Sequence, residues 1–172
     1  MLRESMRKML NDQINLEFYS SNLYLQMSSW FYDNGLNGCG NFMRVHADEE
    51  RDHMMRLFDY VLETGAYPTI GTIEAPKTDW NSLKDIFEEV LGHEQLITQK
   101  INKLAKNAFE EADFSAFNFL QWYVAEQHEE EQLFRGILDK IKILGEDDKA
   151  LFYMDKELEK MSQKPEAKAE SA

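Results

Sequence analysis

The sequence predicts an all-α fold, a four-helix bundle with one long crossover connection and a short fifth helix. Three observations lead there. Four long segments carry an apolar stripe at helical spacing with few breakers inside them. Only 8 glycines and 3 prolines occur in 172 residues, too few for a turn-dense β fold. The connections alternate short, long, short, which pairs the helices as two hairpins.

The first helix is expected from about Ser5 to Tyr32. It ends at the turn-rich run Asp33-Asn34-Gly35-Leu36-Asn37-Gly38. The second runs from about Cys39 to Thr64 and stops at Gly65, a natural left-handed residue after a helix. Ala66 to Asp79 carries Pro68, Pro76, Gly71 and no stripe, and reads as an irregular connection. Helix three starts at Asn81 or Ser82, both good N-cap types, and runs to about Glu111. A break at Ala112-Asp113 opens helix four, which ends at Gly145. Asp147-Asp148 begins a fifth helix that reaches about Met161. The bundle with its fifth helix thus covers 1–161, and 162–172 reads as a disordered polar tail.

The 14 residues from Ala66 to Asp79 set the topology. Helices of this length make a bundle about 40 Å long, at about 1.5 Å per residue. Fourteen extended residues can span that distance at about 3.3 Å each. Helices two and three are therefore expected to run parallel.

Composition narrows the function. The chain has 19 basic and 32 acidic residues, a formal net charge of −13. Such a surface repels phosphate, so neither nucleic acid nor an anionic membrane is an expected partner, and cations are. No apolar run is long enough to span a membrane. The charged N-terminus lacks the apolar segment of a signal peptide. With Cys39 as the sole cysteine, a cytoplasmic location is the expectation.

Each apolar stripe is interrupted near its middle. The interrupting residues are Glu17, Glu50, His53, Glu94, Gln127 and Glu130. Glu17, Glu50 and His53 lie 19, 14 and 17 residues from a first turn centred near Leu36. Glu94, Gln127 and Glu130 lie 17, 16 and 19 residues from a second turn near Glu111. The two hairpins therefore bring all six to about one level. Four carboxylates inside an apolar bundle repel one another and resist desolvation. One or two divalent ions remove that penalty. Oxygen-rich ligation with one imidazole suits Fe, Mn or Zn, and Glu50 and His53 stand one turn apart on one face.

Neighbouring residues have plainer readings. His46, taken singly, is a core or boundary histidine. His128 and Glu131 belong to a solvated face. Glu49, Glu126 and Glu129 flank the stripe, where an accessory cation site would fit. Tyr24 reads equally as an amphipathic core tyrosine or as a redox or hydrogen-bonding partner of the metals. Trp122 reads as packing.

Several stretches carry a resemblance. They are Asn15-Leu16-Glu17 with Tyr24, then His46-Ala47-Asp48-Glu49-Glu50-Arg51-Asp52-His53. Glu94 to Ile101 follows, and then Phe119-Leu120-Gln121-Trp122-Tyr123 with Glu126 to Glu131. Over Met1 to Met161 the chain closely resembles the bacterial non-haem ferritins, within the ferritin-like di-iron family. The resemblance implies a ferroxidase centre in which Glu17, Glu50 and His53 hold one iron. Glu50, Glu94 and Glu130 would hold the second, with Glu50 bridging and Gln127 beside them orienting O2 or water. It implies a third iron site at Glu49, Glu126, Glu129 and Glu130, and a near-centre tyrosine at Tyr24. It further implies a 24-subunit homo-oligomeric shell that oxidises Fe(II) with O2 or H2O2 and stores ferric mineral. Haem is not expected, because the methionine that binds it in bacterioferritins would fall at Arg51. A di-iron oxidase or peroxidase with a fixed metal cofactor, or a haem-free bacterioferritin-like subunit, is the alternative reading.

Overall fold

The computed structural model describes residues 2–163. Five helices follow in order: α1 (Glu4–Asp33), α2 (Asn37–Glu63), α3 (Leu83–Glu110), α4 (Phe114–Leu144) and α5 (Asp148–Ser162). No strand occurs among the described residues. The polar tail expected over 162–172 lies outside the described residues from 164 onward, and Ser162 itself closes α5.

Local chemistry explains most of the boundaries. Ser82 caps α3 by accepting the Asp85 N–H at 3.1 Å, as expected for a serine before an apolar stripe. Asp113 does the same for α4, accepting from Ala116, and Asp147 for α5, accepting from Ala150. Gly65 and Gly145, just past α2 and α4, have φ of +75° and +83°, where a side chain would be strained.

One boundary differs from expectation. Helix α2 begins at Asn37, so Asn37 and Gly38 are helical rather than part of the turn. Its own N-cap position, Leu36, offers no side-chain acceptor. The missing acceptor comes from α5: Asp155 Oδ1 accepts the Cys39 N–H at 2.9 Å. A cap contributed by a helix more than a hundred residues away leaves no mark in the local sequence.

The core comprises two apolar clusters stacked along the bundle. One joins Met6, Leu10 and Ile14 of α1 with Leu57 and Val61 of α2, Ile97 to Ala108 of α3, and Leu120 of α4. The other joins Met27 and Phe31, Phe42 and Met43, Leu83 to Val90, and Phe134 to Ile141, with Met154 and Leu158 of α5. The start of α1 thus meets the end of α2, and the start of α2 meets the start of α3. The hairpins are antiparallel, and α2 and α3 run parallel.

The connection over residues 64–82 makes that possible. Asn11 and Asn15, near the start of α1, accept the backbone N–H groups of Thr69 and Gly71 at 3.0 and 2.7 Å. At the other end Trp80 is buried in the second cluster and donates to Glu89 at 2.8 Å. The loop therefore runs the length of the bundle. No described helix is long and apolar enough to cross a membrane.

Candidate metal centre

Between the two apolar clusters lies a polar waist. Glu17, Glu50, His53, Glu94, Gln127 and Glu130 are all buried there, none more than 6% exposed. All four bundle helices contribute. Each of these residues sits on its helix's apolar stripe, so the packing that buries the stripe also buries the polar residue.

Among the described residues, two sets of donor atoms lie within 4.8 Å of one another. The first is Glu17, Glu50 and His53. One turn of α2 separates Glu50 from His53, and His53 Nδ1 is 3.6 Å from Glu50 Oε2. Gln13, one turn before Glu17, donates to Glu17 Oε1 at 2.8 Å and leaves Oε2 to the centre. Tyr123 donates its hydroxyl to the His53 carbonyl at 2.7 Å, tying α4 to α2 at this level. The second set is His46, Glu49 and Glu130. His46 Nδ1 lies 2.8 Å from Glu49 Oε2 and 3.9 Å from Glu130 Oε2.

Glu94 is held differently. Tyr24 donates its hydroxyl to Glu94 Oε1. Gln127 Nε2 donates to Glu94 Oε2 at 2.9 Å. Both oxygens are therefore engaged by neutral donors. Glu126 approaches His53 from the far side, Oε1 to Nε2 at 3.7 Å. Glu129 is exposed on α4 and belongs to neither set.

The electrostatics follow from burial. Desolvation raises Glu17 well above the ordinary carboxylate range, and the neighbouring Glu50 raises it further. Glu50 is raised by burial and by Glu94, and Glu130 by burial and then by Glu94, Glu50 and Glu49. Glu94 is raised by burial too, although the Tyr24 and Gln127 hydrogen bonds pull the other way. Glu49, beside them, moves down instead. Burial pushes it up, but the hydrogen bond and charge of His46, with the charge of His53, outweigh that. Tyr24 is raised by burial and by Glu94, so its proton stays on the phenol.

These donors fit a cation. Glu17 Oε2, Glu50 Oε2 and Glu130 Oε2 are buried and accept no hydrogen bond. Orphaned carboxylate oxygens of this kind are costly unless a positive ion completes them. Carboxylates with imidazole and no thiolate suit Fe(II), Mn(II) or Zn(II).

The structure brings Glu17, Glu50, His53, Glu94, Gln127 and Glu130 together at the waist with Tyr24 on Glu94, and leaves Glu129 exposed outside both donor sets. It also adds two residues that the sequence reading passed over and one that it read otherwise. Gln13 and Tyr123 lie on the same stripes as Glu17 and Gln127, one helical turn away, so their spacing could have singled them out. His46, read as a core or boundary histidine, is buried against Phe42 and Phe134 and is also a donor of the second set. Glu131 is not on a solvated face: it accepts from Thr98 at 2.7 Å and pairs with Arg135. Trp122 stands edge-on to His53 with ring centroids 5.3 Å apart, and Arg56 lies 4.3 Å over its ring.

Comparison with known proteins agrees with the fold and the waist. Residues 7–144 match the ferritin-like domain family. A probable bacterial non-heme ferritin-like protein of Haemophilus influenzae is 58% identical over 164 residues, 95% of this chain and 99% of that protein. A bacterial non-heme ferritin of Escherichia coli is 52% identical over 158 residues, 92% of this chain and 96% of that one. Among solved structures, an open-pore ferritin from Archaeoglobus fulgidus superposes with a TM-score of 0.91 at 44% identity, covering 95% of this chain and 98% of that chain. With four helices packed around a carboxylate waist and the family matched over most of its length, the chain belongs to the ferritin-like family, beside the bacterial non-heme ferritins.

Proposed function

We propose that the chain is an iron-storage subunit with ferroxidase activity. Iron is then both substrate and cargo. The observation that carries this reading is the polar waist. Four buried carboxylates and an imidazole stand at one level, and three of the carboxylate oxygens lack any hydrogen-bond partner. The identity to proteins named as non-heme ferritins supports it.

In this reading Glu17, Glu50 and His53 take one Fe(II). Glu50, Glu94 and Glu130 take a second, with Glu50 shared between the two. The formal charge of four carboxylates matches two divalent ions. Glu94 reaches its ion by exchanging the hydrogen bonds of Tyr24 or Gln127 for the metal. Gln127 is then free to orient O2 or water, and Tyr24 holds the second carboxylate oxygen in place. The two Fe(II) give one electron each, which with two protons reduces O2 to H2O2, or H2O2 to two waters. Gln127 stands where many di-iron oxidases carry a charged or imidazole ligand, which weakens the second position and suits ions in transit. Ferric product leaves for a cavity enclosed by 24 copies of the chain. Glu49, Glu126, Glu129 and Glu130 line the way as acidic donors. The protein works in the cytoplasm and without haem.

The test is aerobic addition of excess Fe(II) to the metal-stripped protein. Oxidation rate, O2 uptake and particle size by sedimentation are followed together. A large particle that retains a ferric core is expected. A small particle that stops at two metals per chain and keeps no core would point to a fixed-metal oxidase instead.

A further inference from the structure

We propose that Gln13 is a positioning residue for iron turnover: by holding Glu17 Oε1 it makes Glu17 a one-oxygen ligand, so that the ion Glu17 serves is released after oxidation. The inference rests on the ferroxidase reading above and names the residue that lets its first position empty. Gln13 touches no ion itself and acts through Glu17.

The contact is built into α1. Gln13 and Glu17 stand one helical turn apart, so their side chains meet on one face of the helix. Gln13 is 3% exposed and Glu17 1%, so little water competes for either. Gln13 Nε2 donates to Glu17 Oε1 at 2.8 Å. A carboxylate has only acceptors, so the amide must present its N–H side. Glu17 Oε2 is left buried and without a hydrogen-bond partner, while Glu17, Glu50 and His53 each bring a donor atom within 4.8 Å of the others. Leu10 and Ile14, on the same stripe, are fully buried and apolar. An amide that merely filled space there would be desolvated for nothing.

The choice of an amide matters. A lysine or arginine at this place would neutralise Glu17 and remove one of the four negative charges that match two divalent ions. The amide carries no charge, so it withdraws one oxygen and leaves the charge in place. A carboxylate can bind an ion through one oxygen or through both. Closing with both grips the ion harder, and a ferric product hardest of all. Glu94 is restrained in the same manner, by the neutral donors Tyr24 and Gln127.

The test compares the assembled protein with its Gln13→Leu variant. Zinc-loaded crystals of the unaltered protein are expected to show Glu17 bound through one oxygen, about 2.1 Å from the ion, with the Gln13 contact kept. In Gln13→Leu both oxygens are expected to close on the ion. Zinc is then expected to leave that position about tenfold more slowly, the size of effect that groups behind a metal ligand exert. Aerobic Fe(II) oxidation gives the kinetic readout. The ratio of the sustained rate to the first-turnover rate is expected to fall about tenfold as well, because ferric product is held back. Damage to the fold would lower both rates and leave their ratio alone. Two-oxygen ligation in the unaltered protein, zinc release that is no slower in the variant, or an unchanged ratio overturns the inference and leaves the ferroxidase reading standing. An unaltered protein that oxidises Fe(II) no faster than buffer overturns both. If Gln13→Leu does not assemble, Gln13→Met takes its place, and if neither assembles the zinc-loaded map of the unaltered protein decides alone.

Discussion

Tyr24 on α1 and Glu94 on α3 are joined by a hydrogen bond at the level where the bundle is most polar, the phenol donating to the carboxylate. Both residues are fully buried. The bond gives the Glu94 oxygen a partner without giving it a charge. It also fixes where that carboxylate points before any ion arrives.

Removing the phenol oxygen tests that role. Tyr24→Phe is expected to destabilise the metal-free protein by about 1–2 kcal/mol, because a buried acceptor loses its donor. With Zn(II) bound the loss persists, since the ion displaces Gln127 and Tyr24 keeps its oxygen. Urea unfolding followed by helicity, with and without Zn(II), measures both. A loss confined to the metal-free state would mean that the ion displaces Tyr24 rather than Gln127.

Glu94→Leu separates stability from function. A buried carboxylate is replaced by an apolar side chain of similar volume, which in other proteins is neutral or stabilising. The metal-free variant is expected to be at least as stable as the parent in the same urea experiment. Its initial rate of Fe(II) oxidation is expected to fall at least tenfold. A destabilised variant with normal oxidation would contradict both expectations.

The waist also sets a pH dependence. Glu17, Glu50, Glu94 and Glu130 have folded values raised above the ordinary 4.5. Such groups bind protons more tightly in the folded state. The stability they contribute is complete below about 4.5 and is lost as pH rises through the raised values. His46 and His53, with Glu49, Glu126 and Tyr24, are the titratable groups that face them. The metal-free protein is expected to melt higher near pH 5.5 than near pH 8. Zn(II) replaces those protons, so the bound protein is expected to show a flatter or reversed slope. The net charge of −13 adds a general acid stabilisation. Glu17→Gln isolates the local part: it is expected to reduce the slope of the metal-free protein.

The seating of α5 depends on one glycine. A Cβ on Gly38 would stand 2.1 Å from the Asp155 carbonyl oxygen, which is backbone and has little room to yield. Gly38→Ala is expected to lift α5 off α2 and to break the cap on Cys39. Asp155→Ala removes the cap alone, at about 1 kcal/mol. Limited proteolysis is expected to cut the Gly38→Ala protein before α5 and to spare the parent. Equal resistance would show that the helices can shift to make room.

Much of this was legible in the chain. Four stripes, the parallel placement of α2 and α3, and the common level of six polar residues all follow from periodicity and counting. Ser82 announced its own cap. The start of α2 was not legible, because Asp155 supplies that cap from another element. Nor were the Asn11 and Asn15 anchors of the long loop, whose partners are backbone groups. Inside the waist, spacing marks which residues converge, not how they pair. That Glu94 takes Tyr24 and Gln127 while Glu130 stays beside His46 depends on rotamers that only packing decides.

The most direct measurement is the initial rate of Fe(II) oxidation in air at two Fe(II) per chain, compared between the parent and Glu50→Ala. Glu50 belongs to both inner positions in this account. The parent is expected to oxidise the iron within seconds, and the variant to fall to the rate of iron in buffer alone. Equal rates would contradict the assignment of the chemistry to the buried carboxylates.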